Sequence, residues 1–290
     1  MLECVPNFSE GRDPKVVEAL AAAIGGAPGV VLLGQEMDAD HNRSVFTFAG
    51  EADAVVEAAV RGATRAAELI DLHGHTGVHP RVGAADVIPF IPLEGSTMAD
   101  AVAAAHRAGQ EIWSRAGVPV YFYGEAALRE SRRRLEKVRR TGFDGAPQDV
   151  GDIASHLTAG ASVVGARDFL IAFNVDLATT DVNVANEIAR RVRASSGGFA
   201  NVKAIGLYLA SRRRVQVSMN LTDFATIPLE ELYHAIASAA QELGTSAVDC
   251  EVIGFIPLRA YKKDPAFFAR ASNFNESRIL ETRLSQVKAR

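Results

Sequence analysis

The feature that most constrains this chain is a twice-used order of elements. Each half reads as β-run, helix, two β-runs, helix, β-run, and each ends on a similar phrase: "DVIPFIPL" at Asp86–Leu93 and "EVIGFIPL" at Glu251–Leu258. In the first half, "LECVPNF" precedes the helical stretch Asp13–Ile24, in which Asp13 is placed to cap and Pro14 suits the first turn. "GVVLLGQEMD" and "RSVFTFAG" follow it, the second with the apolar alternation of a half-buried strand, then an Ala-rich helix over about 53–72 and the strand "ADVIPFIPL". A further helix (Thr97–Gly117) and strand ("VPVYFYG") extend that half. In the second half "FLIAFNVDL" is a strand, Asp181–Ser195 a helix, Val202–Asp223 a hairpin, Pro228–Gly244 a helix and "DCEVIGFIPLRA" a strand. The shared closing phrase records either a duplication or merely the composition of a buried strand. The order itself predicts an α+β sandwich of two subdomains, each a ferredoxin-like βαββαβ mixed sheet covered by helices, over residues 1–165 and 166–290.

At 290 residues the chain is long enough for two cores of its own. The stretch "LRESRRRLEKVRRTGFDGAPQDVGDIASHLTAGASVVGAR" lies between the halves and reads as their linker. Its basic run (Arg129, Arg132, Arg133, Arg134, Lys137, Arg139, Arg140) reads as a solvated helix face, the sharper alternative being a patch that attracts an anionic tail. With 48% hydrophobic and 23% charged residues and a net charge of -4, the chain lacks the basic excess that nucleic-acid binding brings. Cys4 and Cys250 are too few for a disulfide framework and read as buried, reduced and structural. The start "MLECVPNFSEG" lacks the charged-then-apolar pattern of a secretory signal, so a cytoplasmic protein is expected. The longest apolar stretch, from Ala19, is broken by glycines and Pro28 before it could span a membrane.

The chemistry concentrates in "DLHGHTGVHPRVGAAD", Asp71–Asp86. His73, His75 and His79, with Asp71 and Asp86 nearby, supply enough nitrogen and oxygen for a zinc centre, which would need the rings to converge at about 2.0–2.1 Å from one ion. Gly74 and Gly77 let the backbone wander, so the spacing implies no such convergence, and exposed loop histidines fit it equally well. His79 differs from the other two. It precedes a proline, which disfavours helical backbone, and Arg81 follows two residues later. A held imidazole beside a guanidinium suits general-base work on an anionic substrate. Asp86 is then either the group that orients that imidazole or a carboxylate capping the next strand. In "DADHNRS", Arg43 is a second candidate carboxylate holder, while Asp40, His41 and Asn42 read as turn-formers.

Six blocks, "ECVPNFSEG", "DHNRSVFTFAG", "GVHPRVGAADVIPFIPL", "GARDFLIAFNVDL", "VQVSMNLTDF" and "GFIPL", resemble the glutamate formiminotransferase family in order and along nearly the whole chain. This includes the transferase half of the bifunctional formiminotransferase-cyclodeaminases. The resemblance implies two α/β subdomains holding folate in a tunnel between them, and transfer of a formimino group from N-formimino-L-glutamate to tetrahydrofolate as co-substrate, with no metal or redox cofactor. It makes His79 the catalytic histidine, with Asp86 as its candidate partner and Arg43 and Arg81 as candidate clamps for the glutamate carboxylates. The folate-contacting segment becomes Thr158 to Arg167, with Thr158, Gly160, Ala161, Ser162, Val164, Gly165 and Arg167 as binding positions. The connection before that segment looks shorter than in the animal enzymes, the acidic residues around Glu36–Asp40 are arranged differently, and no cyclodeaminase half is expected. Formyl transfer between 5-formyl-tetrahydrofolate and glutamate is the nearest alternative reaction, and a zinc-dependent hydrolase built on His73, His75 and His79 the rival from another class. A non-catalytic folate-binding protein is the third possibility. A homodimer is the default expectation, and neither nucleic acid nor membrane is expected as a partner.

Overall fold

A computed structural model describes residues 1–140 and 147–288 of the chain, which divides into a unit of Met1–Asp168 and a unit of Phe169–Arg290. The helices and strands of both halves follow the expected βαββαβ order. In the first unit they are β1 (Leu2–Cys4), β2 (Asn7–Phe8), α1 (Pro14–Gly25), β3 (Val30–Asp38), β4 (Arg43–Gly50), α2 (Ala52–Leu69), β5 (Ala85–Pro92), α3 (Met98–Ala116), β6 (Val120–Gly124), α4 (Leu135–Arg140) and β7 (Ser162–Ala166). β1 and β2 both lie antiparallel between β4 and β5, so they are one strand interrupted at Val5–Pro6. The break needs little compensation, because Val5 N donates to Pro89 O and the Pro6 carbonyl accepts from Phe46 N.

Taking β1 and β2 as one strand, the sheet runs β3, β4, β1/β2, β5, β7, β6. The first four positions are the ferredoxin-like order, and β7 then joins β5 and β6 in parallel, which makes the sheet mixed. The helices start where the sequence sets them. The Asp13 carboxylate accepts from Lys15 N ahead of Pro14, and Thr97 and Asp100 form a reciprocal capping box at the head of α3. Apolar faces of α1, α2 and α3 cover one side of the sheet, with Leu20, Phe8, Phe46, Phe90, Phe122 and Val164 in a single buried cluster.

Two local expectations are corrected. The helix expected to reach residue 72 stops at Leu69, and Leu72–Gly74 forms a separate 3-10 turn because the Asp71 carboxylate caps it through His73 N. The stretch expected to be linker belongs to the first unit. Ser162–Ala166 is an interior strand, Arg132 is almost wholly buried at 1% exposure and ion-paired to Asp149 at 2.8 Å, and only part of the basic run faces solvent. Residues 141–146 of that stretch, and the Arg140 side chain, lie outside the described residues.

The second unit contains β8 (Ile171–Leu177), α5 (Val182–Val192), β9 (Val202–Leu209), β10 (Arg214–Leu221), α6 (Leu229–Glu242) and β11 (Ala247–Ile253), followed by α7 (Leu258–Lys263), α8 (Pro265–Arg270) and α9 (Leu280–Lys288). Its antiparallel sheet runs β11, β8, β10, β9, again the ferredoxin-like order, and its core joins Phe173, Val217, Ile188, Leu232, Phe267 and Phe268. β5 and β11, which carry the shared phrase, occupy the same place in the two sheets, each beside the first strand of its half. β11 ends at Ile253, so "FIPL" there leads into α7 rather than continuing the strand. Cys4 and Cys250 are both buried and unbridged, and burial pushes both thiols up, Cys250 to about 11. No helix among the described residues is long and apolar enough to cross a membrane.

Candidate active site

At one end of the first sheet, backbone segments that the sequence spaces far apart are laced into a single loop cluster. Ser9 N and Oγ donate to Ala84 O and Gly83 O at 2.8 and 2.7 Å, fixing the end of β2 to the loop before β5. Asn42, in left-handed backbone at φ 48°, accepts from Gly11 N with its side-chain oxygen and donates to Thr76 O with its amide nitrogen. Val78 N donates to Asp40 O, and His41 N to the Asp38 carboxylate. The turn between β3 and β4 is thereby clamped to the histidine loop. That approach requires Gly77, because a Cβ there would lie 2.4 Å from the His41 carbonyl oxygen and 2.7 Å from the Arg81 guanidinium.

His79 sits in this cluster with both ring nitrogens engaged. Nδ1 is 2.8 Å from the Pro80 carbonyl oxygen and Nε2 is 2.8 Å from Arg43 Nη1. A carbonyl only accepts and a guanidinium only donates, so the neutral ring carries its proton on Nδ1 and accepts at Nε2. Burial, together with the charges of Arg43 and Arg139, holds the imidazole well below its ordinary 6.5, so it is an unprotonated base at neutral pH. His41, only 3% exposed, stacks obliquely with its ring centroid 5.8 Å away.

Asp86 does not touch His79. Its carboxylate is buried, accepts from Val82 N at 2.7 Å and pairs with Arg139 Nη2 at 2.5 Å. Arg81 donates from Nη2 to the His79 carbonyl at 2.8 Å. Asp86 attracts the guanidinium groups of Arg43 and Arg81 at a distance, but its ion pair is with Arg139. Among the described residues neither Arg43 nor Arg81 has a carboxylate within ion-pairing distance. Burial and the neighbouring Arg139 lower the Arg43 guanidinium to about 10, and burial lowers Arg81 as well. The cluster is built to accept anionic oxygen.

The segment before β7 closes another side of the loop. Thr158 O accepts from Leu72 N, Ala84 N donates to Ala159 O, Ala161 N donates to Val82 O, and Gly160 bridges Gly83. Ser162 is wholly buried with its hydroxyl on Ala85 O, Val164 lies in the apolar core, and Gly165 pairs with Pro89 and Tyr123. Arg167 lies beyond the other end of β7. Its N–H meets Phe90 O, its guanidinium meets Asp168 O, and the same guanidinium donates to the buried Tyr123 hydroxyl, which Arg139 also acts on. The structure therefore brings Thr158, Gly160 and Ala161 to the histidine loop, with Val164 and Gly165 farther along β7 and Arg167 past its end.

The three loop histidines do not act as equals. His73 is exposed and paired with Asp71 at 2.7 Å, whereas His75 is half-buried beside the Ser9 and Asn42 backbone and is lowered by burial and by Arg81. Among the described residues no group of three or more His, Cys, Asp or Glu side chains is placed to share one ion. Arg139 and His41 are the members of this site that residue spacing did not single out. Arg139 was hidden in a basic run, and His41 in a turn.

Comparison with known proteins adds an independent line. Residues 1–167 match the model of the formiminotransferase domain, N-terminal subdomain, and residues 172–286 match that of the formiminotransferase domain. The chain is 39% identical to the glutamate formimidoyltransferase of Thermoplasma acidophilum over 99% of its length and 98% of that protein. It is 38% identical to that of Streptococcus pyogenes serotype M1, over 98% of both chains. It is also 41% identical to the formimidoyltransferase-cyclodeaminase of Gallus gallus, over 93% of this chain and 52% of that longer protein. With both halves matched and relatives aligned from end to end, the chain belongs to the formiminotransferase family of transferases.

Proposed function

We propose that the chain transfers the formimino group of N-formimino-L-glutamate to N5 of tetrahydrofolate, giving 5-formimino-tetrahydrofolate and L-glutamate, with His79 as general base. The observation that carries this reading is a neutral imidazole, its Nε2 placed as an acceptor, set beside two guanidinium groups that have no carboxylate at ion-pairing distance among the described residues. A donor with two carboxylates suits Arg43 and Arg81, and a base held unprotonated at neutral pH suits removal of the N5 proton. In the proposed sequence N5 attacks the formimino carbon while His79 takes its proton. The tetrahedral adduct then breaks its bond to the glutamate nitrogen, which receives the proton from the imidazolium. Each atom is accounted for within the two substrates and the imidazole. The hydrogen bonds between 158–161 and the His79 loop support a folate-contacting role for Thr158, Gly160 and Ala161. Asp86 acts in this reading through Arg139 and the Val82 amide rather than on the ring. A cytoplasmic homodimer completes the proposal.

A spectrophotometric assay with tetrahydrofolate and N-formimino-L-glutamate, run beside one with 5-formyl-tetrahydrofolate and L-glutamate, tests it directly. The expected result is turnover with the first pair, and loss of about 10²- to 10⁴-fold in His79→Asn with folate binding retained. Turnover with the formyl pair alone would move the assignment to formyl transfer, and equal turnover in His79→Asn would remove the base.

A further inference from the structure

The base described above is occupied. His79 Nε2, the nitrogen that would take the proton, accepts a hydrogen bond from Arg43 at 2.8 Å, and Nδ1 is committed to the Pro80 carbonyl. With both nitrogens engaged, this arrangement cannot take a proton from a substrate. Arg43, however, holds the imidazole as its sole side-chain acceptor among the described residues, and a charged guanidinium binds a carboxylate more strongly than a neutral ring. We infer that binding of a carboxylate at Arg43 draws its guanidinium off His79 and uncovers Nε2, so that the base becomes available only when the anionic donor is seated. This rests on the proposed reaction and adds to it an order of events. In the free chain Arg43 caps the base, and in the complex it holds the donor.

The surroundings of His79 favour such an exchange. The groups that face the ring are Arg43 from β4, His41 from the turn before it and Arg139 from α4, with the Pro80 carbonyl at Nδ1. Asp86 is already held by Arg139 and Val82, so it does not compete for Arg43. An incoming carboxylate neutralises one of the positive charges that face the ring and removes the donor from its lone pair. Both changes raise the proton affinity of His79 at the stage when a proton has to be taken.

The test is an NMR titration of the histidine ring nitrogens in ¹⁵N-labelled full-length protein, with the His79 signals assigned by His79→Gln and L-glutamate as the probe. In the absence of glutamate the His79 midpoint is expected to lie well under the ordinary 6.5 of an imidazole. Saturating L-glutamate should raise it by about one pH unit or more. Arg43→Gln should show a raised midpoint from the outset and no further response to glutamate. A His79 midpoint unmoved by glutamate, or unmoved by Arg43→Gln, would overturn the inference. Turnover measured on the same samples separates this from the proposed reaction. An active wild-type chain with an unresponsive His79 sinks the exchange alone, whereas an inactive one with a responsive His79 sinks the reaction and leaves the exchange standing.

Discussion

Arg139, from the short helix α4, places Nη2 2.5 Å from Oδ2 of Asp86 at the start of β5, and so ties a residue of the basic run to the loop that carries His79. Asp86 is buried and its other oxygen holds Val82 N, so the carboxylate is fixed at both ends. Removing Arg139 strands a buried charge, and Arg139→Met is expected to destabilise by about 3 kcal/mol. Removing the charge on both sides avoids that cost, so Arg139→Met with Asp86→Asn should be more stable than Arg139→Met alone. Urea unfolding of the two single variants and the double variant measures this, and simple additivity would show that the pair is not coupled.

Gly77 is the point at which the histidine loop meets the turn before β4. In Gly77→Ala the new methyl must displace either the His41 carbonyl or the Arg81 side chain, since both lie within 2.7 Å of it. Overpacking of this kind costs about 1–3 kcal/mol. The expected signature is a loss of turnover larger than the loss of stability, because the displaced backbone leads directly to His79. Gly74→Ala, three residues earlier, has nothing within 4 Å of the new methyl and serves as the control. Equal effects of the two substitutions on turnover would show that the close approach does not position the base.

The pH dependence follows from the direction of the histidine shifts. His79 and His75 are both held below their ordinary 6.5, chiefly by burial and then by neighbouring arginines. As the pH falls below that value the unfolded chain takes up protons that the folded chain refuses. Their contribution is therefore fully present above about pH 6.5 and is lost progressively on acidification. Thermal midpoints of wild type and His79→Gln, compared from about pH 7.5 down to about pH 5, should converge as the pH falls. A constant gap would argue against a depressed His79. The kcat/KM, which reports the free enzyme, should likewise persist below pH 6.5 in the wild type instead of halving there.

Much of this architecture is written in local pattern. The Asp13 cap, the Thr97 box and the alternation of β4 act within a few residues, and each element they mark is present. β7 carries no such mark. "SVVGA" is short and made of small residues, and it becomes a strand only because β5 and β6 flank it in parallel. Arg132 shows the same limit. Its charge reads as solvent-facing in a run of arginines, yet Asp149 and the Tyr121 ring enclose it, and Asp149 is remote in sequence. At the site, the backbone context of His79 was legible from Pro80. Its hydrogen-bond partner was not, since Arg43 reaches it only through the pairing of β3 with β4 and the Asn42 clamp. Asp86 stood at the right place in the sequence to orient the ring, and Arg139 has claimed it.

The second unit offers a test of opposite sign. Arg212 donates to Asp176 Oδ2 and Glu251 Oε2, both at 3.0 Å, and Gln216 donates to the other oxygens of the same two carboxylates at 2.8 and 3.0 Å. Partial burial opposes the charge on Arg212, but Glu251 and Asp176 outweigh it and hold the guanidinium pKa above its ordinary value. In Arg212→Met the two carboxylates would keep Gln216 and lose their cation while Asp176 stays buried. Two adjacent ionised carboxylates without a cation repel each other and are poorly solvated, so the cost of the substitution grows as the pH rises and they carry their charge. The destabilisation of Arg212→Met relative to wild type should accordingly be small near about pH 4.5 and larger near about pH 7.5. Denaturant midpoints at the two pH values decide it. A penalty that does not change with pH would mean that Arg212 contributes packing rather than charge, and Arg212→Lys, which keeps the charge, should recover most of the loss only if the charge matters.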